Sequence, residues 1–375
     1  MPGLLPDVDP DGLLEFSVVY SDRSLNHMSM TFRQVMNDIS STMKNVYNAT
    51  ATVVVPGSGT YGMEAIARQF ATDKKCLVIR NGWFSYRWTQ IFEAGKIPAS
   101  EIVLKARQIA DETQAPFAPC PIEEVVAAIK EEKPDLVFAA HVETSAGMIL
   151  PDEYLKAVAD AVHSVGGLFV LDCIASGTIW VDMKATGVDV LVSAPQKGWS
   201  GSPCSGLVML GENAVAKLDE TTSTSFACDL KKWLQIMQAY ENGGHAYHAT
   251  MPTDGLTTFR NVMKEIEAIG FDKVRDQQRQ LGQGIRDALA KRDINSVAAP
   301  GFEAPGVVVA YTSDPEMKNG KKFAAAGIQI AGGVPLQCNE RDDFQTFRIG
   351  LFGVEKLQNV ERTIQSFEDV LDKIS

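Results

Sequence analysis

Three short segments hold residues whose types and spacing suit chemistry on a phosphorylated ligand. Residues 57–62 read Gly-Ser-Gly-Thr-Tyr-Gly directly after a β-branched run. Asp172 ends the apolar run LFVLD, and Lys197 follows the run VLVS within SAPQKGWSG, 25 residues after Asp172. A glycine turn that opens a helix attracts an anion, because its N–H groups are free and the helix dipole adds to them. A carboxylate at the end of an apolar strand aims at the ligand side of a sheet. A lysine set among Ser193, Ala194, Gly198, Ser200 and Gly201 extends its amine with little obstruction. Together, cradle, acid and amine match the needs of pyridoxal 5′-phosphate: a phosphate site, a Schiff-base lysine and an acidic partner for the pyridinium nitrogen.

Other readings of the glycine turn stay open. Gly57-Ser58-Gly59-Thr60-Tyr61-Gly62 is a complete G-x-G-x-x-G, the dinucleotide fingerprint. That fingerprint wants an acidic residue at the end of the next strand. Here the strand CLVIR ends in Arg80, which would favour the 2′-phosphate of NADP and an oxidoreductase. The plainest alternative is a turn that merely needs glycine.

The elements that must position these residues follow from hydrophobic spacing. Helical periodicity runs over Met30–Tyr47, 61–70, 85–94 and Ile122–Glu132, and a helix capped by Pro151-Asp152 stops at Gly166-Gly167. Strands are expected at 51–55, 76–80, Leu136–Ala140, 168–171 and Val190–Ser193. Short apolar strands alternating with helices give an α/β fold with a mostly parallel sheet covered on both faces, whose ligands bind beyond the carboxyl ends of the strands. From 254 to 292 the pattern is helical, interrupted at Gly270. Short strands then follow at 306–311, 327–330 and 346–349, and a final helix at 355–374. The expected division is an N-terminal arm, 1–27, a large domain, 28–265, and a smaller α+β domain, 266–375, onto which the arm packs.

Composition bounds the partners. Of 375 residues, 45% are apolar, enough for a large core, and the net charge of −12 argues against nucleic acid or anionic membrane. Six scattered cysteines without a C-x-x-C pair suit reduced thiols rather than a disulfide framework or structural zinc. His245 and His248 are three apart with no third ligand in view, so no metal site is expected. With no membrane span and no basic-then-apolar leader in MPGLLPDVDPDGLLEF, the expected compartment is the cytoplasm.

From Thr52 to Gly353 the sequence resembles the class V, fold type I pyridoxal-phosphate aminotransferases, nearest the alanine–glyoxylate and serine–pyruvate branch. The matching segments are PGSGTYGMEA, RNGWFSYR, HVETSAGMILP, VLDCIAS, SAPQKGWSGSP, AYHATMPT and FRIGLFG. The resemblance implies a large domain built on a mostly parallel seven-stranded sheet between helices. It also implies a ping-pong transfer from a small amino acid to glyoxylate or pyruvate. Ser58, Gly59, Thr60 and Gln196 would hold the phosphate, and Phe84 would stack on the ring where a Trp is common. Ile174 would pack on the opposite face, and Thr144 would meet the ring hydroxyl. Tyr247 and Thr250 would reach the phosphate of a neighbouring subunit, implying a homodimer. Arg348 would fork onto the substrate α-carboxylate, a geometry lysine cannot reproduce.

The chain also departs from that pattern. The Gly-Pro-rich N-terminal loop of the family is replaced by YSDRSLNHMS, which brings Arg23, Asn26 and His27 forward as substrate-side candidates. Lyases of the same fold carry a His before the lysine, where this chain has Gln196, and need a mobile nucleophilic Cys. Cys338 is the candidate, with a structural thiol as the plainer reading.

Overall fold

Why the candidate segments meet is a matter of strand direction. The computed structural model describes residues 11–374. Seven strands form the central sheet: β1 (Ala51–Pro56), β2 (Lys75–Arg80), β3 (Ser100–Lys105), β4 (Leu136–Ala140), β5 (Leu168–Asp172), β6 (Val190–Ser193) and β7 (Ser205–Leu210). Their order is β1-β7-β6-β5-β4-β2-β3, and β7 is the one strand of this sheet that runs antiparallel to the other six. Four of them (β4 to β7) are buried along their whole length, the burial expected when helices cover both faces. In register, Asp172 lies beside Ala140 and Val192, so the chain leaves β4, β5 and β6 at one edge of the sheet. The turns after β1 and β2 open at that same edge.

Helices α1 (Met30–Tyr47), α2 (Gly59–Phe70), α3 (Trp83–Gly95), α4 (Ile122–Glu132) and α5 (Asp152–Ser164) follow the sequence spacing closely. Ser29 caps α1 by accepting from the Phe32 amide at 3.0 Å, which stops the helix from fraying into the preceding arm. Gly57, at φ 123°, turns the chain from β1 into α2. A Cβ at Gly62 would meet Val192 Cγ2 at 2.9 Å, so this glycine lets α2 lie directly on the sheet. The third glycine of the G-x-G-x-x-G run thus serves packing.

The helices Thr253–Ile269 and Phe271–Ala290 break at Gly270 (φ 103°), at the interruption read from the sequence. Beyond them a second, antiparallel sheet has the order β8 (Val307–Tyr311), β10 (Thr346–Gly350), β9 (Ala331–Gly332). The strand expected at 327–330 is not formed. That segment leaves a short helix at a positive-φ Gly327, and the strand begins only at Ala331. The last helical stretch is two helices, Val354–Leu357 and Val360–Ile374. The expectation that the arm packs on the C-terminal part is corrected for its described residues. Tyr20 Oη donates to the Met251 carbonyl at 3.0 Å, the Leu25 amide donates to Asp254 at 3.1 Å, and His27 packs on His245 and Tyr247. The first ten residues of the arm lie outside the described part of the chain.

At the far end of the sheet Asp189 is buried and accepts from the Phe169 amide (2.8 Å), Asn213 (2.9 Å) and His163 Nε2 (2.7 Å). The hydrogen bond to Asp189 raises the His163 pKa above its usual 6.5, against the opposing effect of burial. A raised folded-state value means the ion pair stabilises fully below pH 6.5 and is lost as pH climbs through that raised value. His163→Ala should therefore lower the thermal midpoint more at pH 6 than at pH 9. Equal losses at both would show that the imidazolium form adds nothing.

Candidate active site

At the carboxyl edge of the sheet lies a cavity of about 210 Å³. Ser58, Gly59, Thr60, Phe84, Thr144, Asp172, Ile174, Gln196 and Lys197 all line it, together with Met63, Arg87, Val142 and Ala175. Segments scattered over some 140 positions thus share one chamber because each follows a strand that ends there. One wall is the start of α2. Ser58 stands at its N-cap in extended geometry, yet its side chain makes no capping bond. The buried Gln196 Oε1 also has no partner among the described residues.

Asp172 and Lys197 dominate the electrostatics. Asp172 is 7% exposed, and its Oδ1 accepts from the Ile174 amide at 2.8 Å. Burial pushes its pKa up to about 7. The charge of Glu143 adds to the rise, while the Ile174 bond and the cations Arg87 and Lys197 oppose it. Burial, followed by the field of Arg348, holds the Lys197 amine below the usual lysine range, with Arg87 contributing and Asp172 opposing. A lysine so placed carries more neutral amine, the nucleophilic form, than one in water. Its Nζ sits 5.2 Å from the centroid of the Phe352 ring.

Phe84 owes its position to a carboxylate distant in sequence. Gly82, at the N-cap of α3, has no side chain to satisfy the first amides of the helix, which must find acceptors elsewhere. Ser145 Oγ accepts from Trp83 N at 2.9 Å, and the fully buried Glu143 accepts from Phe84 N (3.1 Å) and Ser85 N (2.9 Å). The Ser145 and Ser85 hydroxyls donate to the same carboxylate at 2.7 and 2.8 Å. A Cβ at Gly82 would sit only 2.1 Å from Ser145 Oγ, so glycine is the residue that lets this anchor close.

The remaining expected residues lie outside the lining. Arg348 is centred 5.5 Å over the Phe84 ring and donates from Nε to the Gly332 carbonyl at 2.8 Å. Tyr247 is 54% exposed, and its hydroxyl pairs with Thr250 Oγ1 at 3.2 Å on the surface. Arg23, Asn26 and His27 do not line the cavity, and Asn26 is held by Glu15 and Ser17. Cys338 is buried, with its thiol directed at the Arg80 carbonyl (3.4 Å) and its pKa pushed up to about 12 mainly by burial. That is the setting of an inert thiol. Two residues of evident weight were not picked out from the sequence: Glu143, and Arg87, which donates to Thr60 Oγ1 at 3.3 Å. Among the described residues no group of three or more His, Cys, Asp or Glu is arranged to hold a metal ion.

Comparison with known proteins identifies the family and the fold. The chain is 27% identical over 352 residues to alanine–glyoxylate aminotransferase 1 of Saccharomyces cerevisiae, covering 88% of this chain and 86% of that protein. It is 28% identical over 349 residues to a 2-aminoethylphosphonate–pyruvate transaminase of Paraburkholderia phymatum, covering 88% and 84%. In fold it is similar to the crystal structure of an alanine–glyoxylate aminotransferase from Nostoc sp., with a TM-score of 0.77 at 21% identity over 92% of this chain and 88% of that one. The dinucleotide reading of the glycine turn gives way. Arg80, the residue it required, lies 4.7 Å under the Tyr86 ring and donates to Thr89. Because the class-V aminotransferase family model matches residues 14–361, nearly the whole chain, the protein belongs to the class-V aminotransferases and is a transaminase.

Proposed function

We propose that the protein uses pyridoxal 5′-phosphate to move an amino group from a small neutral amino acid, such as alanine or serine, to glyoxylate or pyruvate. Asp172 carries this reading: a buried carboxylate without an ion pair among the described residues, in one cavity with Lys197 and a free helix start. The fit is chemical at both ends. The Ser58 hydroxyl, unused in capping, and the start of α2 suit a phosphate, and the carboxylate of Asp172, its pKa raised chiefly by burial, suits a pyridinium cation. When bound, the cofactor supplies an aldehyde for an amine and a protonated ring that draws electrons from the substrate Cα.

The roles of the chain follow from that placement. Ser58, Gly59, Thr60 and Gln196 hold the phosphate. Phe84 and Ile174 clamp the ring, and Thr144 meets its hydroxyl. Asp172 keeps the proton on the ring nitrogen. Lys197 anchors the cofactor and, once displaced by the donor, moves the proton at Cα. Arg348 orients the donor by its α-carboxylate.

Several further assignments belong to this reading. The division into an arm (1–27), a large domain (28–265) and a small domain (266–375) is supported by the second sheet lying wholly after residue 306. A homodimer in which Tyr247 and Thr250 reach the neighbouring site is supported by their exposure. It is supported also by the exposed apolar side chains Leu13, Leu14, Phe16, Val18 and Phe226, which a partner would cover. Six unpaired cysteines support the cytoplasm, and no described helix is long and apolar enough to cross a membrane.

A panel of amino donors assayed with glyoxylate and with pyruvate tests the substrate class. Alanine or serine should lead. Arg348→Ala should raise KM for them steeply, since a carboxylate stripped of its buried partner costs about 2–5 kcal/mol. Aspartate, glutamate or an amine without an α-carboxylate as the best donor would overturn the assignment.

A further inference from the structure

The charges that line the cavity leave one cation without a task. Three lining residues are ionisable: Arg87, Asp172 and Lys197. On the cofactor reading, on which this inference rests, Lys197 is consumed by covalent attachment and Asp172 faces the ring nitrogen. A phosphate ester carries roughly −1.5 to −2 charges at neutral pH. The start of α2 offers about half a positive charge in return. A dianion enclosed among Ser58, Gly59 and Thr60 therefore lacks a counter-charge.

Arg87 is placed to supply it. Its Nη1 donates to Thr60 Oγ1 at 3.3 Å, so the guanidinium already touches the phosphate turn. Its Cζ is 5.2 Å from the centroid of the Phe84 ring, a cation–π contact that fixes the plane of the group. No carboxylate forms an ion pair with it among the described residues, as the half-buried Lys44 and Arg260 have, and most of its five N–H donors are left for a ligand. Phe84 and Arg87 are three apart on α3, so one helix face carries both the ring wall and the charge. The helix start is fixed by Glu143, which sets the two together against the cavity.

We propose that Arg87 is the counter-ion of the cofactor phosphate: it binds the phosphate with its free N–H groups and turns the Thr60 hydroxyl toward the same oxygens. The alternative occupant, a second anionic group on the substrate, is separated by experiment. Pyridoxal phosphate and phosphate-free pyridoxal are titrated into the cofactor-stripped wild type, Arg87→Gln and Arg87→Lys, reading absorbance and fluorescence. Arg87→Gln should raise Kd for pyridoxal phosphate about ten- to a hundredfold, the scale of a charge-assisted hydrogen bond, and flatten its salt dependence. Arg87→Lys should lie between. Pyridoxal itself should bind within about twofold of wild type, which also shows that the variant is folded.

Equal weakening of both ligands would overturn the proposal and assign Arg87 to the ring or to packing. Unchanged pyridoxal phosphate binding, with a raised KM for aspartate or 2-aminoethylphosphonate, would overturn it in favour of the substrate. A wild type that binds neither ligand would overturn the cofactor reading, and this inference with it.

Discussion

A Lys197→Ala variant should retain its fold and lose turnover by about four orders of magnitude or more, because the proposed roles make one side chain both the covalent anchor and the proton carrier. Borohydride treatment of the wild type, followed by peptide mapping, should place the reduced cofactor on Lys197. The environments of the other lysines explain the choice. Lys184 lies beside Asn48 and His163 in a surface recess at the opposite end of the sheet. Lys217 is on the surface, paired with Glu220 at 2.6 Å. Among the described residues only Lys197 combines a lowered pKa, a place in the lining and a neighbouring Asp172. The loss of activity in Lys197→Ala should not be repaired by higher cofactor concentration. An adduct found on Lys184 or Lys217 would sink the assignment, as would a variant that turns over normally.

The parts of this site that sequence reveals are those tied to regular elements. Leu136–Ala140 and Val190–Ser193 are runs buried on both faces, so apolar content alone marks their ends, and the residues just beyond them fall at the ligand edge. Asp172 and Lys197 were legible for that reason. Ser100–Lys105 was not, because an edge strand that is half-exposed carries no continuous apolar run. Ser205–Leu210 hid behind the Gly-Ser-Pro-Cys turn that precedes it. Arg87 reads as one more charge on the polar side of a helix, since spacing does not say that this face closes a cavity. Glu143 acts on amides 58 and 59 positions earlier, a contact that exists only once β2 and β4 pair. Its one trace in the sequence is indirect: Gly82 begins a helix without a capping side chain, so some distant group must accept from that helix start.

Asp172→Asn separates charge from shape at the same position. The amide can keep the acceptor for the Ile174 amide, which Asp172 Oδ1 meets at 2.8 Å, so the turn after β5 should persist. What disappears is the negative charge proposed to face the ring nitrogen. A preorganised electrostatic contact of this kind is worth about 3 kcal/mol or more, so turnover of the cofactor-loaded variant should fall on the order of a hundredfold or further. Stability of the unliganded protein should respond in the other direction. The folded-state pKa of about 7 lies above the usual 3.8, chiefly from burial, so the folded protein holds this proton more tightly than the unfolded chain. The cost of ionising the buried carboxylate therefore grows as pH rises from about 4 to 7 and is complete above 7. Asparagine never ionises. The difference in thermal midpoint between variant and wild type, both without cofactor, should accordingly shift in favour of the variant between pH 4 and pH 8. A pH-independent difference would mean that Asp172 is not strained by its burial. Near-normal turnover in the loaded variant would mean that another group keeps the ring nitrogen protonated. The two measurements are independent, because one reads the empty cavity and the other the filled one.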